Sequence, residues 1–185
     1  MQNISMTTFI TSDLHFSHKN SINFCSLTCG KFKDITELNQ YIISEWNQKV
    51  GNNDLTYILG DVAFCSGQDA AALLNQCNGL KILIIGNHDR KNLKDHSFRQ
   101  SFSEIHEYLE ITHNGVKVCL FHFPISEYHQ QHRGSVHLHG HLHQNQSGLE
   151  KYRVRNVGWD YTGQVVSLLD DIVNDALTGE IKQHT

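Results

Sequence analysis

Two apolar segments of the chain, LTYILGD at residues 55–61 and LKILIIGNHD at residues 80–89, each run into a glycine that is followed by polar side chains. The segment between them is predicted as a helix over roughly residues 68–77. Near-continuous apolar strands joined through a helix are typical of parallel pairing in a sheet that is covered on both faces. The pattern therefore predicts a β-α-β unit within an α/β fold.

The N-terminal part is predicted to add a strand at residues 7–11 and a long amphipathic helix. Asp34 can cap this helix while Glu37 reaches back toward the preceding backbone, and Gly51 is a suitable stop. Its apolar residues recur at helical spacing on one face, and they are Ile35, Leu38, Ile42 and Trp46. The helix is therefore expected to cover one face of the sheet.

The second half of the chain has shorter strands. HEYLEIT and VKVCLFHFP flank His113-Asn114-Gly115, a turn that predicts an antiparallel hairpin because Asn and Gly tolerate positive φ. SVHLHGHLH, YRVRNVG and GQVVS are predicted as further strands, and SLLDDIVNDALTG as a helix that stops at Gly179. The chain is thus expected to form two β-rich halves packed in layers.

The size and composition limit the class of protein. With 185 residues and 39% hydrophobic composition, residues 1–185 are predicted to form a single domain. No leader-like segment opens the chain and no apolar run approaches the roughly 18 residues that span a bilayer, so we expect a cytoplasmic protein without a membrane segment. The net charge of −4 disfavours a protein whose whole surface binds nucleic acid.

The five cysteines are an odd number and lie scattered along the chain, which predicts reduced thiols. Cys25 and Cys29 have the spacing of a metal pair. No second Cys or His pair follows at zinc-finger spacing, so both are interpreted as structural.

Ligating side chains lie where predicted strands end, and histidine is enriched, with 14 in the chain. These side chains are Asp13, His15, Asp61, Asn87, His88, Asp89, His122, His141 and His143. The loops that leave parallel strands converge at one edge of a sheet, so the separated segments are predicted to meet in one crevice. His137 and His139 alternate along the preceding strand and are interpreted as structural.

Carboxylate, imidazole and amide donors together suit a borderline or hard divalent ion such as Mn, Fe or Zn. The candidate metal ligands are Asp13, His15, Asp61, Asn87, His122, His141 and His143. This set is larger than one ion with an open position can use, so two ions that share a carboxylate are predicted. Asp61 is the predicted bridge, because its strand lies between the two halves of the site. Two ions about 3.5–4 Å apart can activate a water and hold a phosphate by its oxygens.

Five motifs over residues 8–143 resemble the calcineurin-like metallophosphoesterase superfamily, in particular its small bacterial and phage members. The motifs are D-x-H at 13–15, G-D at 60–61, G-N-H-D at 86–89, a histidine before proline at 122 and G-H-x-H at 140–143. In these small members the first motif often reads D-x-H-F-G-H, and Ser17 stands here at the glycine position. The resemblance implies a four-layer α-β-β-α sandwich of two mixed sheets.

The resemblance also implies a role for each ligating residue. One ion would be held by Asp13, His15, Asp61 and His143, and the other by Asp61, Asn87, His122 and His141. His88 would stabilise the phosphoryl charge or protonate the leaving oxygen after in-line attack by a hydroxide that bridges the ions. Asp89 would orient His88 through a hydrogen bond. Manganese is the favoured metal, with iron, zinc, nickel or magnesium as alternatives.

The implied activity is that of a dimetal phosphoesterase acting on a phosphoester substrate. A phosphodiester is slightly favoured over a phosphomonoester, because a small domain without a lid insertion leaves an open cleft. A nucleotide or nucleic acid is a candidate substrate, and a monomer or homodimer is expected. Two alternatives stay open: a non-catalytic metal-containing interaction module of the same fold, and a metal storage or sensing protein that binds through residues 137–143 alone.

Overall fold

The computed structural model describes residues 6–24, 28 and 30–183, so Cys25 and Cys29 lie outside the described residues. The strands are β1 (Thr8–Thr11), β2 (Leu55–Ile58), β3 (Leu80–Ile84), β4 (Glu104–His106), β5 (Tyr108–His113), β6 (Val116–Phe121), β7 (Val136–His139), β8 (Val154–Asn156) and β9 (Ser167–Leu168). The helices are α1 (Ser21–Phe24), α2 (Ile35–Lys49), α3 (Gly67–Leu74), α4 (His96–Gln100), α5 (Trp159–Thr162) and α6 (Leu169–Leu177), with 3₁₀ turns at Asn92–Lys94 and Gln131–Arg133.

The first sheet has the strand order β4-β3-β2-β1-β9. Strands β1 to β4 pair in parallel, while β9 pairs antiparallel with β1 at the edge. The predicted β-α-β unit is confirmed as β2-α3-β3, with Leu55 opposite Leu80. Because β1, β2 and β3 run in the same direction, their carboxyl ends lie at one edge of the sheet.

The second sheet has the order β5-β6-β7-β8. The predicted hairpin is confirmed between β5 and β6, and both Asn114 and Gly115 have positive φ in its turn. In contrast, β6, β7 and β8 are mutually parallel. The predicted α/β sandwich of two mixed sheets is therefore confirmed, and the outer face of the second sheet is covered mainly by loops and a 3₁₀ turn.

Two apolar clusters hold these layers together. One lies between the sheets and contains Ile10, Leu59, Leu120 and Leu138. The other lies between the first sheet and helices α2 to α4, where Trp46 is fully buried. Each such side chain contributes roughly 1.5–3 kcal/mol through its burial. The sheets are thus fixed relative to each other, which in turn fixes the loops at their carboxyl ends.

Helix α2 begins as the sequence predicts. The Asp34 side chain accepts a hydrogen bond from the Glu37 N–H at 3.0 Å, and the Glu37 carboxylate accepts one from the Lys33 N–H at 2.6 Å. The helix ends at Lys49, before Gly51. In the described part of the chain, we find no helix with the length and apolar character needed to cross a membrane.

His137 is buried on β7, and burial lowers its pKa to about 4. Its ring contacts the backbone around it, with Nδ1 at 3.1 Å from the Cys119 carbonyl, and Nε2 at 3.2 Å from the Phe123 carbonyl and 3.3 Å from the Ile125 N–H. The neutral ring can donate at Nδ1 and accept the Ile125 N–H at Nε2. The Cys119 and Phe123 carbonyls favour the charged ring, but burial is the larger effect and keeps it neutral.

The buried neutral His137 predicts that the metal-free protein loses stability in mild acid. The unfolded chain binds a proton near pH 6.5 and the folded chain only near pH 4, so stability falls as pH drops through this window. The contribution of this residue is of order 3 kcal/mol at the acid end. Urea unfolding at several pH values should show a flatter pH dependence in His137→Gln than in the wild type.

Exposed His96 provides the matched control, because a His96→Gln change removes a histidine from the surface of α4. This variant should keep the wild-type pH dependence. If the free energy of unfolding of the wild type and of His137→Gln changed with pH in parallel, His137 would not be a source of the loss of stability in acid.

Candidate metal centre

The backbone adopts left-handed conformations at many of the candidate ligands. Positive φ angles occur at Asp13 (57°), His15 (48°), Asp61 (54°), His141 (70°) and His143 (51°), and also at Ser17 (62°). Such conformations cost of order 1–3 kcal/mol each for residues with a side chain and cluster at functional sites. The turns are held by the neighbouring strand ends, since the Asp13 N–H donates to the Gly60 carbonyl and the His15 N–H to the Asp61 carbonyl.

Glycines allow these strand ends to approach each other closely. A Cβ on Gly60 would lie 2.5 Å from Gly86 Cα and 2.7 Å from His122 Nδ1. A Cβ on Gly86 would overlap Asp61 Oδ1, and one on Gly140 would overlap Asp13 Oδ2. Only glycine therefore fits at these positions of the G-D, G-N-H-D and G-H-x-H motifs, and its absence of a side chain leaves room for the ligating groups.

Asp13, His15 and His143 form the first group of donors. One ligand atom from each lies within 4.8 Å of the others. Asp13 Oδ1 and His15 Nε2 are buried and have no hydrogen-bond partner among the described residues. Burial raises the pKa of Asp13, which means that its carboxylate lacks sufficient stabilisation from the protein alone. A bound cation would supply it.

Asp61, His122 and His141 form the second group, again with one atom each within 4.8 Å of the others. His122 Nδ1 lies 2.6 Å from the Leu59 carbonyl, to which it must donate, so a neutral ring presents a lone pair at Nε2. That Nε2 atom lies 2.8 Å from Asn87 Oδ1, another acceptor. Two lone pairs at this distance repel each other unless a proton or cation lies beside both of them, so this pair also fits a metal ion.

Asp61 lies between the two groups. Its Oδ2 atom is 3.5 Å from His122 Nε2, 3.7 Å from His15 Nε2 and 3.9 Å from His88 Nε2, and its Oδ1 accepts a hydrogen bond from the His88 N–H. Burial alone would raise the pKa of Asp61, but the His122 and His15 side chains and the His88 N–H lower it well below its usual range. Asp61 is thus the carboxylate that can contact both groups, and the donors together fit two divalent ions.

Asp89 does not form the predicted hydrogen bond with the His88 ring. Its carboxylate is fully buried and instead accepts hydrogen bonds from the N–H groups of Gly86 at 2.8 Å, Asp61 at 2.9 Å and Val62 at 2.9 Å. A buried carboxylate needs several donors, and these three backbone N–H groups supply them. The prediction that Asp89 orients the His88 ring is therefore wrong. Asp89 instead fixes the two loops that carry Asp61 and Asn87.

Asp160 is a site residue that the sequence interpretation missed. Its Oδ2 atom lies 2.7 Å from His143 Nδ1, and this hydrogen bond raises the pKa of His143. A partner of this kind fixes the ring orientation of a ligating histidine and leaves Nε2 free to face a metal. Asp160 lies four residues beyond the end of β8, within α5, and the bridge between Ser12 and Gly158 brings this segment beside Asp13. Its distance from the strand end gave no sequence signal of this role.

A cavity of about 310 Å³ opens beside the first donor group. Its lining consists of Asp13, His15, His18, Ser21, His143, Gln144, Asn145, Trp159 and Asp160. The His18 ring stacks on Phe64 at 4.1 Å between centroids, and Phe64 also contacts the rings of His15 and His88. His18 and Phe64 thus form a wall beside the donors.

Comparison with known proteins identifies the family. A model of the calcineurin-like phosphoesterase family matches residues 6–183. The chain belongs to this family. An uncharacterised protein of Methanocaldococcus jannaschii is 34% identical to this calcineurin-like phosphoesterase over 146 residues, covering 78% of the chain and 72% of that protein. The Gene 66 protein of Mycobacterium phage L5 is 30% identical over 200 residues, covering 90% of the chain and 94% of that protein.

The fold also matches a solved structure of a protein of unknown function from Aquifex aeolicus. The TM-score is 0.71 at 24% identity, with coverage of 92% of this chain and 99% of that one. The family match and the donor groups together make divalent metal binding and hydrolysis of phosphoesters the relevant chemistry for this calcineurin-like phosphoesterase.

Proposed function

We propose that the chain is a dimetal phosphoesterase that hydrolyses phosphodiesters by in-line displacement. The observation that carries the proposal is the position of Asp61 between two groups of donors, each with two buried members and with acceptor atoms facing one another. When bound there, two divalent ions would lower the pKa of a shared water and neutralise charge on the phosphate. The first ion would be held by Asp13, His15, Asp61 and His143, and the second by Asp61, Asn87, His122 and His141.

His88 is proposed to act on the reacting phosphoester. Its ring is 48% exposed, in contrast to the buried His15 and His122, and it lies outside both donor groups. The backbone of His88 is anchored by its hydrogen bond to Asp61 Oδ1. The ring can therefore stabilise the phosphoryl charge or deliver a proton to the leaving oxygen from a fixed backbone position.

The charge of the cavity supports a diester. None of the described residues that line the 310 Å³ cavity is Lys or Arg, whereas it includes Asp13 and Asp160. A monoester dianion carries more charge than a diester and needs more cationic neutralisation. We further propose manganese as the working metal, because carboxylate, imidazole and amide donors suit it, and a single catalytic domain, since the family match extends over residues 6–183.

The test is hydrolysis of bis-p-nitrophenyl phosphate and p-nitrophenyl phosphate by chelator-treated protein, before and after addition of Mn, Fe, Zn, Ni or Mg. We expect no activity without metal, the highest activity with Mn and a higher kcat/KM for the diester. A higher kcat/KM for the monoester would reverse the assignment of substrate class. Two bound ions without hydrolysis of either ester would contradict the proposal and favour the non-catalytic interaction module.

A further inference from the structure

A row of partly exposed aromatic side chains leads away from the second donor group. We call Tyr108, Phe121 and Phe123 the aromatic row. Phe123 lies 4.6 Å from the His141 ring and 5.6 Å from the Phe121 ring, and Phe121 lies 6.2 Å from Tyr108, all between centroids. Tyr108 is 38% exposed and the two phenylalanines are half-buried. The row is therefore continuous from a candidate ligand to the surface.

The strand geometry explains why these rings lie on one surface. Phe121 ends β6 and Phe123 follows two residues later, so their side chains project to the same side, while His122 between them turns toward Leu59 and the metal centre. Tyr108 is the antiparallel partner of Phe121 on β5. The aromatic row is thus built by the same strand end that supplies His122.

A second cavity, of about 170 Å³, lies against this row. Its lining consists of Ile85, Gly86, Asn87, Arg90, Glu107, Phe121 and Phe123. Asn87 connects it to the metal centre. Arg90 is exposed and pairs with Glu107 at 3.4 Å, an ion pair that contributes little in water and leaves the guanidinium able to contact a ligand. The lining of the cavity therefore combines two aromatic side chains with apolar Ile85 and with polar and charged side chains.

We propose that this cavity binds the base of a nucleoside phosphodiester, stacked on Phe123, while the phosphate lies at the metal centre. This inference rests on the proposed function and names its substrate class. A nucleobase has an aromatic face for Phe123 and polar edges for Arg90, Glu107 and Asn87, whereas an alkyl group would use only the apolar part of the lining. His88, which is proposed to act at the leaving oxygen, is absent from the described lining of this cavity, and its ring contacts Phe64 instead. The base in the cavity therefore belongs to the ester group that is retained rather than to the leaving group.

The first test compares two diesters with the same leaving group, thymidine 5′-(4-nitrophenyl phosphate) and methyl 4-nitrophenyl phosphate, in the presence of Mn. Stacking on one aromatic ring should raise kcat/KM for the thymidine ester over the methyl ester by about 5- to 150-fold. Phe123→Leu keeps an apolar side chain without a ring, and it should reduce this ratio at least several-fold. Phe121→Leu, at the next position of the row, gives a second variant if Phe123→Leu fails to fold.

Tyr41→Leu is the matched control, because Tyr41 is an aromatic residue on α2 that is 39% exposed and contacts Phe32 rather than the cavity. It should keep the wild-type ratio. Equal rates for the two esters, or an unchanged ratio in both row variants, would overturn the inference while leaving the phosphoesterase function intact. Hydrolysis of neither ester would contradict the proposed function.

A binding measurement tests the cavity independently of turnover. In calorimetric titrations of the Mn-loaded protein, thymidine 5′-monophosphate should bind at least 5-fold more tightly than methyl phosphate, and Phe123→Leu should remove most of this difference. Equal affinities of the wild type for the two monoesters would overturn the inference even if no ester is hydrolysed.

Discussion

Replacing Asp61 by asparagine is expected to reduce kcat/KM for bis-p-nitrophenyl phosphate by more than about 100-fold and to lower the metal content of the protein. Removal of a partner outside the ligand shell already costs about 10–100-fold in metal affinity or activity, and Asp61 lies between both donor groups. Asparagine preserves the shape of the side chain but removes the negative charge that a bridging ligand supplies. Steady-state hydrolysis and the metal-to-protein ratio measure the two effects.

A third measurement separates loss of metal from loss of fold. Bound Mn should raise the thermal midpoint of the wild type, because a ligand of the folded state stabilises it, and this increase should be smaller in Asp61→Asn. Asp171→Asn is the control, since Asp171 is an exposed carboxylate on α6. If Asp61→Asn retains the metal content of the wild type and its activity within a few-fold, Asp61 is not the shared ligand.

Replacing His88 by glutamine should lower kcat by about 10²- to 10⁴-fold, the usual contribution of a positioned proton donor, without loss of metal. The difference from Asp61→Asn follows from geometry, because the His88 ring is half-exposed and lies outside both donor groups. If His88 protonates the leaving oxygen, the loss should be larger for a methyl or phenyl leaving group than for p-nitrophenolate, which needs little protonation. Hydrolysis of diesters with graded leaving groups measures this trend.

His96→Gln serves as the control for His88→Gln, because it changes an exposed histidine on α4. Its activity should equal that of the wild type. A His88→Gln variant with full activity would remove His88 from the mechanism. A loss of the same size for every leaving group would instead favour stabilisation of the phosphoryl charge over proton transfer.

The core of the fold could be predicted from local patterns in the sequence. The apolar runs of β2 and β3 and the helix between them already imply parallel strands, and Asn114-Gly115 indicates the hairpin. The parallel pairing of β6 with β7 and of β7 with β8 was missed, because the connections between these strands carry a 3₁₀ turn and loops rather than long helices. Strand β4 was also missed, since its three residues are too short for a recognisable period.

The candidate site, like the fold, could be predicted from the sequence only in part. Residues such as Asp13 and Asp61 could be predicted to converge because they follow strand ends on one edge of a sheet. The role of Asp89 could not, because adjacent residues on a tight loop point in different directions and only the structure shows where the nearby backbone N–H groups lie. Phe121 and Phe123 read in sequence as the end of an apolar strand, so the cavity beside them became apparent only from the fold.

Anomalous diffraction from crystals of the Mn-loaded protein would test the proposed pair of ions most directly. We expect two strong peaks about 3.5–4 Å apart, one among Asp13, His15 and His143 and one among Asn87, His122 and His141, with Asp61 contacting both. A single peak, or peaks located away from Asp61, would contradict a dinuclear centre in this chain.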